Sequence, residues 1–110
     1  MSILAAFIAA SGVAPLTATN NGPVDGLGLG TVDTAAATVT VTGGTPTYSY
    51  NAAYLSGDTV TILNGTTATP SFRRTGVIAL DFFTGTVRVT VTDAASRTTT
   101  TDVTWTITGG

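Results

Sequence analysis

GTVRVTVTDAASRTTTTDVTWTIT, Gly85 to Thr108, is the stretch whose reading decides the fold. Val87, Val89 and Val91 share one parity, while Arg88, Thr90 and Thr92 share the other. Successive side chains of a strand point to opposite faces, so the alternation describes a strand with one apolar and one polar face. Asp93-Ala94-Ala95-Ser96 then breaks the pattern with residues suited to a turn. From Arg97 to Thr108 it resumes, with Val103, Trp105 and Ile107 on one parity and Thr98, Thr100, Asp102, Thr104 and Thr106 on the other. The stretch reads as a hairpin. Threonine suits its wet face, because a branched β-carbon favours extended backbone and the hydroxyl stays hydrated. Each inward Val or Ile contributes about 1.5–3 kcal/mol when fully buried. A lone hairpin is still marginal in water, so these strands need a second sheet.

The preceding residues offer one. Thr38-Val39-Thr40-Val41-Thr42 alternates in the same way and ends at Gly43-Gly44-Thr45-Pro46. Tyr48, Tyr50, Ala52 and Tyr54 continue on one parity, and Thr59-Val60-Thr61-Ile62 stops at Asn64-Gly65, a strong turn signal. Ala68 to Arg73 and Val77 to Phe82 are further candidates, separated by Thr75-Gly76. About seven short strands at this spacing predict an all-β sandwich, and no segment after residue 35 carries a helical period. Residues 35–110 are thus read as the sandwich, and residues 1–34 as an N-terminal apolar arm and linker.

GGTPTYSYN (Gly43 to Asn51), TPSF (Thr69 to Phe72) and the closing hairpin resemble bacterial and phage immunoglobulin-like modules of the PKD-like or putative-Ig type. The resemblance covers roughly residues 35 to 108. It departs from the usual pattern at Asn51, which follows the position where many relatives carry Trp, and at Ser96, where a Gly often closes the turn. It implies an immunoglobulin-like β-sandwich of about seven antiparallel strands, with a role in display or assembly on phage particles or bacterial surfaces. The acidic clusters that bind calcium in cadherin-like relatives are not matched, so no metal site is carried over.

The opening MSILAAFIAASGVAPL differs in kind. No Lys or Arg precedes its apolar run, which argues against a secretory signal, and the run is far below the roughly 20 residues of a membrane-spanning helix. Ile3, Leu4, Phe7, Ile8 and Leu16 are the candidate partner-binding residues of the arm. As a short helix capped by Ser2, or as an extended strand, the segment must dock on something, either its own sandwich or a neighbouring subunit. Thr17 to Pro23 reads as a linker. Gly26-Leu27-Gly28-Leu29-Gly30 lacks the following helix and the Lys of a phosphate loop, and reads as a flexible loop.

Composition narrows the function. The 110 residues hold four Arg and six Asp and lack Lys, Glu, His and Cys, with a net charge of −2 and Thr at 26 positions. Without Cys or His there is no disulfide framework, thiolate zinc site or Ser-His or Cys-His pair. Asp25, Asp33, Asp58, Asp81, Asp93 and Asp102 are the only candidate acid–base groups, and no enzyme or cofactor is expected. Asp58 and Asp93 lie in turn signals, where a carboxylate accepts local amide hydrogen bonds. Four scattered Arg make no basic patch, so no nucleic-acid partner is expected. Trp105 and Tyr50 read as core, and Arg73-Arg74 as neighbours facing opposite ways. Charged residues are only 9 %, a surface suited to being covered by other subunits. The expectation is a structural virion protein, a head decoration or minor capsid protein whose arm binds major capsid or other virion subunits, or further copies of itself. The alternative is an adhesion or carbohydrate-binding module of the bacterial cell surface.

Overall fold

The Val/Thr alternation of residues 85–108 folds as the two longest strands of the computed structural model, which describes residues 14–110. In chain order the strands are β1 (Thr17–Asn20), β2 (Val24–Gly28), β3 (Gly30–Asp33), β4 (Val39–Thr42), β5 (Ser49–Gly57), β6 (Thr61–Leu63), β7 (Ser71–Val77), β8 (Phe82–Thr92) and β9 (Thr98–Gly109). No helix occurs among the described residues. β9 pairs antiparallel with β8 from Phe82↔Thr108 to Thr92↔Thr98, and β8 pairs antiparallel with β5. β2 adds to the far side of β9 in parallel, giving the four-stranded order β2-β9-β8-β5.

The facing layer is built from two smaller sheets, β3-β7-β6 and β1-β4. Amide bonds from Thr34 to the Phe72 carbonyl (2.9 Å), Ala37 to Pro70 (2.8 Å) and Val39 to Ala68 (2.8 Å) carry β3 on into β4 alongside the β7 segment. The two therefore run on as one layer. Between the layers lies a single cluster: Val87, Val89, Val91, Val103, Trp105 and Ile107 from one side, and Val32, Ala37, Val39, Phe72 and Val77 from the other. The architecture is all-β and β-sandwich-like.

The inward parity of the closing hairpin is the one its sequence predicts: all six Val, Trp and Ile side chains are fully buried. Asn64-Gly65 does end β6, with the Thr67 amide bonded to the Asn64 carbonyl (3.1 Å). Several expectations change: the described residues form nine strands rather than about seven, and β2 runs parallel to β9 rather than antiparallel. Thr17–Asn20, read as linker, is a strand held by four pairs to β4. The glycine-rich 26–30 stretch, read as a flexible loop, forms the end of β2 and the start of β3, because the partner strands β9 and β7 satisfy its backbone. Thr75-Gly76 does not reverse the chain. Gly76, at φ +69°, lies in β7, where the register against β3 shifts between Gly30 and Val32. The reversal comes at residues 78–81, closed by the Asp81 amide on the Ile78 carbonyl (3.1 Å) and by the Ile78 amide on the Asp81 carboxylate (2.9 Å).

Gly85 sits directly across from Trp105 on the inner face. A Cβ there would lie 3.0 Å from Trp105 Cζ2 and 2.9 Å from the Ser56 and Asp58 carbonyl oxygens. The missing side chain is therefore the space the indole occupies. Gly85→Val is expected to destabilise the fold by about 1–3 kcal/mol through overpacking. A urea denaturation midpoint equal to that of the parent protein would contradict this register.

Candidate functional site

Ile3, Leu4, Phe7 and Ile8 of the arm lie outside the described residues. Leu16, the fifth arm residue, is half-buried, with its side chain against Gly44 of the same domain. The Gly44 amide donates to the Ala14 carbonyl (2.9 Å). At Gly43 (φ +71°) a Cβ would overlap the Pro15 carbonyl oxygen, so only glycine permits this approach. The chain thus enters the sandwich along a fixed backbone path.

That entry pole is organised by Asp93, whose side chain has no solvent exposure. Its carboxylate accepts the amides of Thr45 (2.9 Å), Ala95 (3.0 Å) and Arg97 (2.9 Å) and the Arg97 guanidinium (3.0 Å). Burial pushes the Asp93 carboxyl up, but the amides of Thr45 and Arg97 and the Arg97 charge outweigh it and hold the pKa below the usual carboxylate value. Ser96 takes the left-handed conformation (φ +64°) in this turn. Its amide bonds to the Asp93 carbonyl (3.0 Å), which helps hold that conformation.

Four of the other five carboxylates are also engaged locally. Asp33 pairs bidentately with Arg73 (2.7 and 3.0 Å) and Asp102 with Arg88 (2.8 and 3.1 Å), and each guanidinium holds its partner carboxyl below the ordinary value. Asp58 accepts the Thr84 amide (3.0 Å) and Asp81 the Ile78 amide. No group of three or more potential metal ligands occurs among the described residues.

Arg73 and Arg74 do face different ways. Arg73 meets Asp33, while Arg74 lies 3.8 Å over the Phe83 ring and donates to the Thr59 carbonyl (2.6 Å). Both line an open cleft of about 400 Å³ with Thr59, Val60, Thr61 and Thr75. The guanidinium of Arg74 thereby closes the edge between the layers, its stem on apolar surface and its donors towards water. Among the described residues, Tyr48, Tyr50, Tyr54 and Trp105 make no common platform. Trp105 is fully buried, Tyr48 and Tyr50 pack against the core, and Tyr54 alone of these is exposed, with its hydroxyl on the Gly57 carbonyl (2.7 Å).

The pole opposite the entry carries the feature the sequence did not disclose. Leu27, Leu29, Ile78 and Phe82 are 60–74 % exposed, and Leu80 is 95 % exposed. Leu27 and Phe82 flank Thr108 in one row of the sheet, since both pair with it. Leu29 and Ile78 lie just beyond the paired residues Gly30 and Val77. Gly110 to Gly28 (3.2 Å) and Gly109 to Asp81 (2.8 Å) tie the strand ends together there. These residues come from two segments about 50 positions apart, so only strand register unites them.

No protein-family model matches the chain, and no curated protein sequence matches it. No helix among the described residues is long and apolar enough to cross a membrane.

Asp93→Asn replaces an acceptor with a donor facing the Thr45 amide and Arg97. It is expected to lower Tm by on the order of 10 °C at pH 7. The lowered carboxyl pKa values of Asp33, Asp93 and Asp102 stabilise the fold above the unfolded pKa of about 3.9, and that stability is lost as pH falls through the folded values. With no His in the chain, the urea midpoint is expected to be flat from about pH 5 to 7 and to drop below about pH 4. Asp93→Asn should show a shallower acid limb; an acid limb as steep as the parent's would remove Asp93 from this role.

Proposed function

We propose that the chain is a structural protein of a phage particle. In this reading an immunoglobulin-like sandwich is displayed on the particle surface, in a head decoration or minor capsid role. Ile3, Leu4, Phe7 and Ile8 anchor it on the major capsid or other virion subunits. The observation that carries the reading is the rigid entry pole. An apolar arm that leaves a backbone locked by Gly43, Gly44 and the Asp93–Arg97 cluster orients the whole domain relative to whatever holds the arm.

Strand order supports the immunoglobulin-like part. Such sandwiches have sheets ordered A-B-E-D and C-F-G. With β3 and β4 taken as one broken strand, β1, β3/β4, β7 and β6 follow the first order, and β5, β8 and β9 the second, with β2 beside β9. A non-enzymatic role is supported by the engagement of five of the six carboxylates with backbone amides or Arg.

The test is sedimentation of a native lysate through a density gradient, with the chain followed by peptide mass spectrometry. Co-migration with large particles at moderate salt is expected. Deletion of residues 2–12 should abolish it while far-UV circular dichroism stays that of the parent. A chain recovered instead in the cell envelope would sink the virion reading and favour the bacterial-surface adhesion module.

A further inference from the structure

Leu80 is the least economical residue in the fold. It holds φ +69°, a region that disfavours bulky L-residues, and it presents nearly its whole side chain to water. Glycine would relieve the backbone, and Asp or Asn would tolerate it and be better hydrated. Nothing in the folding of a lone domain favours leucine there. With Leu27, Leu29, Ile78 and Phe82 around it, the side chain completes an apolar tip of the kind that marks an interaction surface.

We propose that this tip is the acceptor for the apolar arm, Ile3 to Ile8, of a second copy, so that copies join head to tail. Reach keeps Phe7 and Ile8 of the chain's own arm off the tip, and only Ile3 and Leu4, at full extension, could span the distance. β8 has 11 residues, so at about 3.3 Å per residue the tip lies roughly 35 Å from the entry pole, where Ala14 is fixed. Ile8 is six residues before Ala14 and reaches at most about 20 Å, and Phe7 about 25 Å. A second copy meets no such limit. Chemistry also matches: Met1 to Val13 carries no charged side chain, so insertion desolvates only apolar groups and backbone. Two tips meeting face to face would instead bring together copies of Asp25 and Asp81 beside them.

An arm–tip contact joins unlike surfaces, and repeated addition gives an open chain or a closed ring. The inference rests on the arm's anchoring role in the reading above, and extends it. The first copy holds the particle by its arm, and its outward tip receives the next copy.

Full-length protein is examined by sedimentation velocity over a concentration series, with Phe7→Asp altering the arm and Leu80→Asp the tip. The parent should self-associate. Each variant alone should associate about ten- to a hundredfold more weakly, the loss expected for one buried large apolar side chain. Mixed in equal amounts, they should form a one-to-one heterodimer, because Leu80→Asp supplies an intact arm and Phe7→Asp an intact tip. Asp tolerates the left-handed conformation, so Leu80→Asp should keep the parent's Tm. A parent monomeric throughout, Phe7→Asp associating as strongly as the parent (tip on tip), Leu80→Asp doing so (arm on arm), or a mixture that stays monomeric would each overturn the proposal. Particle co-sedimentation of the parent is read separately, so a failed self-association leaves the anchoring reading standing, and a failed co-sedimentation leaves the arm–tip contact standing.

Discussion

The fold depends on the register that sets Trp105 opposite Gly85. Side chains along a strand have a period of two, so a slip of one residue between β8 and β9 would turn Val103, Trp105 and Ile107 outward and bring a row of Thr into the core. Two constraints oppose the slip. The indole fits where Gly85 has no side chain, and the turn at the far end is closed by the buried Asp93 carboxylate on its own backbone amides. The other strands then arrange themselves on this hairpin. β2 and β5 extend its sheet on either side, and Phe72, Val32 and Val39 cover its inner face.

The same register separates the two ends of the molecule. One long hairpin places a rigid, polar, hydrogen-bonded pole around Asp93 at one end and an apolar tip around Leu80 at the other. A chain with so few charges has little to repel a neighbour. Five of its six carboxylates are engaged by backbone amides or guanidinium groups.

Much of this was legible in the sequence, and the limits are physical. Alternation at residues 87–92 and 98–108 disclosed both the strands and their buried face, since one face is core and the other water. Asp93 was recognisable as a turn acceptor, and the splitting of Arg73 and Arg74 followed from strand geometry. Thr17–Asn20 and Gly26–Gly30 were misread because short edge segments take their conformation from partners distant in the chain, β4, β9 and β7. Gly76 resembled a turn because a positive-φ glycine serves a bulge as well as a reversal. The tip was invisible for a further reason: Leu27, Leu29, Ile78, Leu80 and Phe82 each look like ordinary strand or loop residues until topology assembles them. The one signal was Leu80-Asp81, a bulky residue directly before the turn-closing carboxylate.

The most direct test of the register is a nuclear Overhauser measurement on the Trp105 ring. Contacts from the indole Hζ2 to the Gly85 α-protons are expected, together with protection of the ring from solvent. Contacts instead to the side chains of Thr84 or Thr86, with the indole exposed to water, would mean a slipped hairpin and would contradict the placement of both poles.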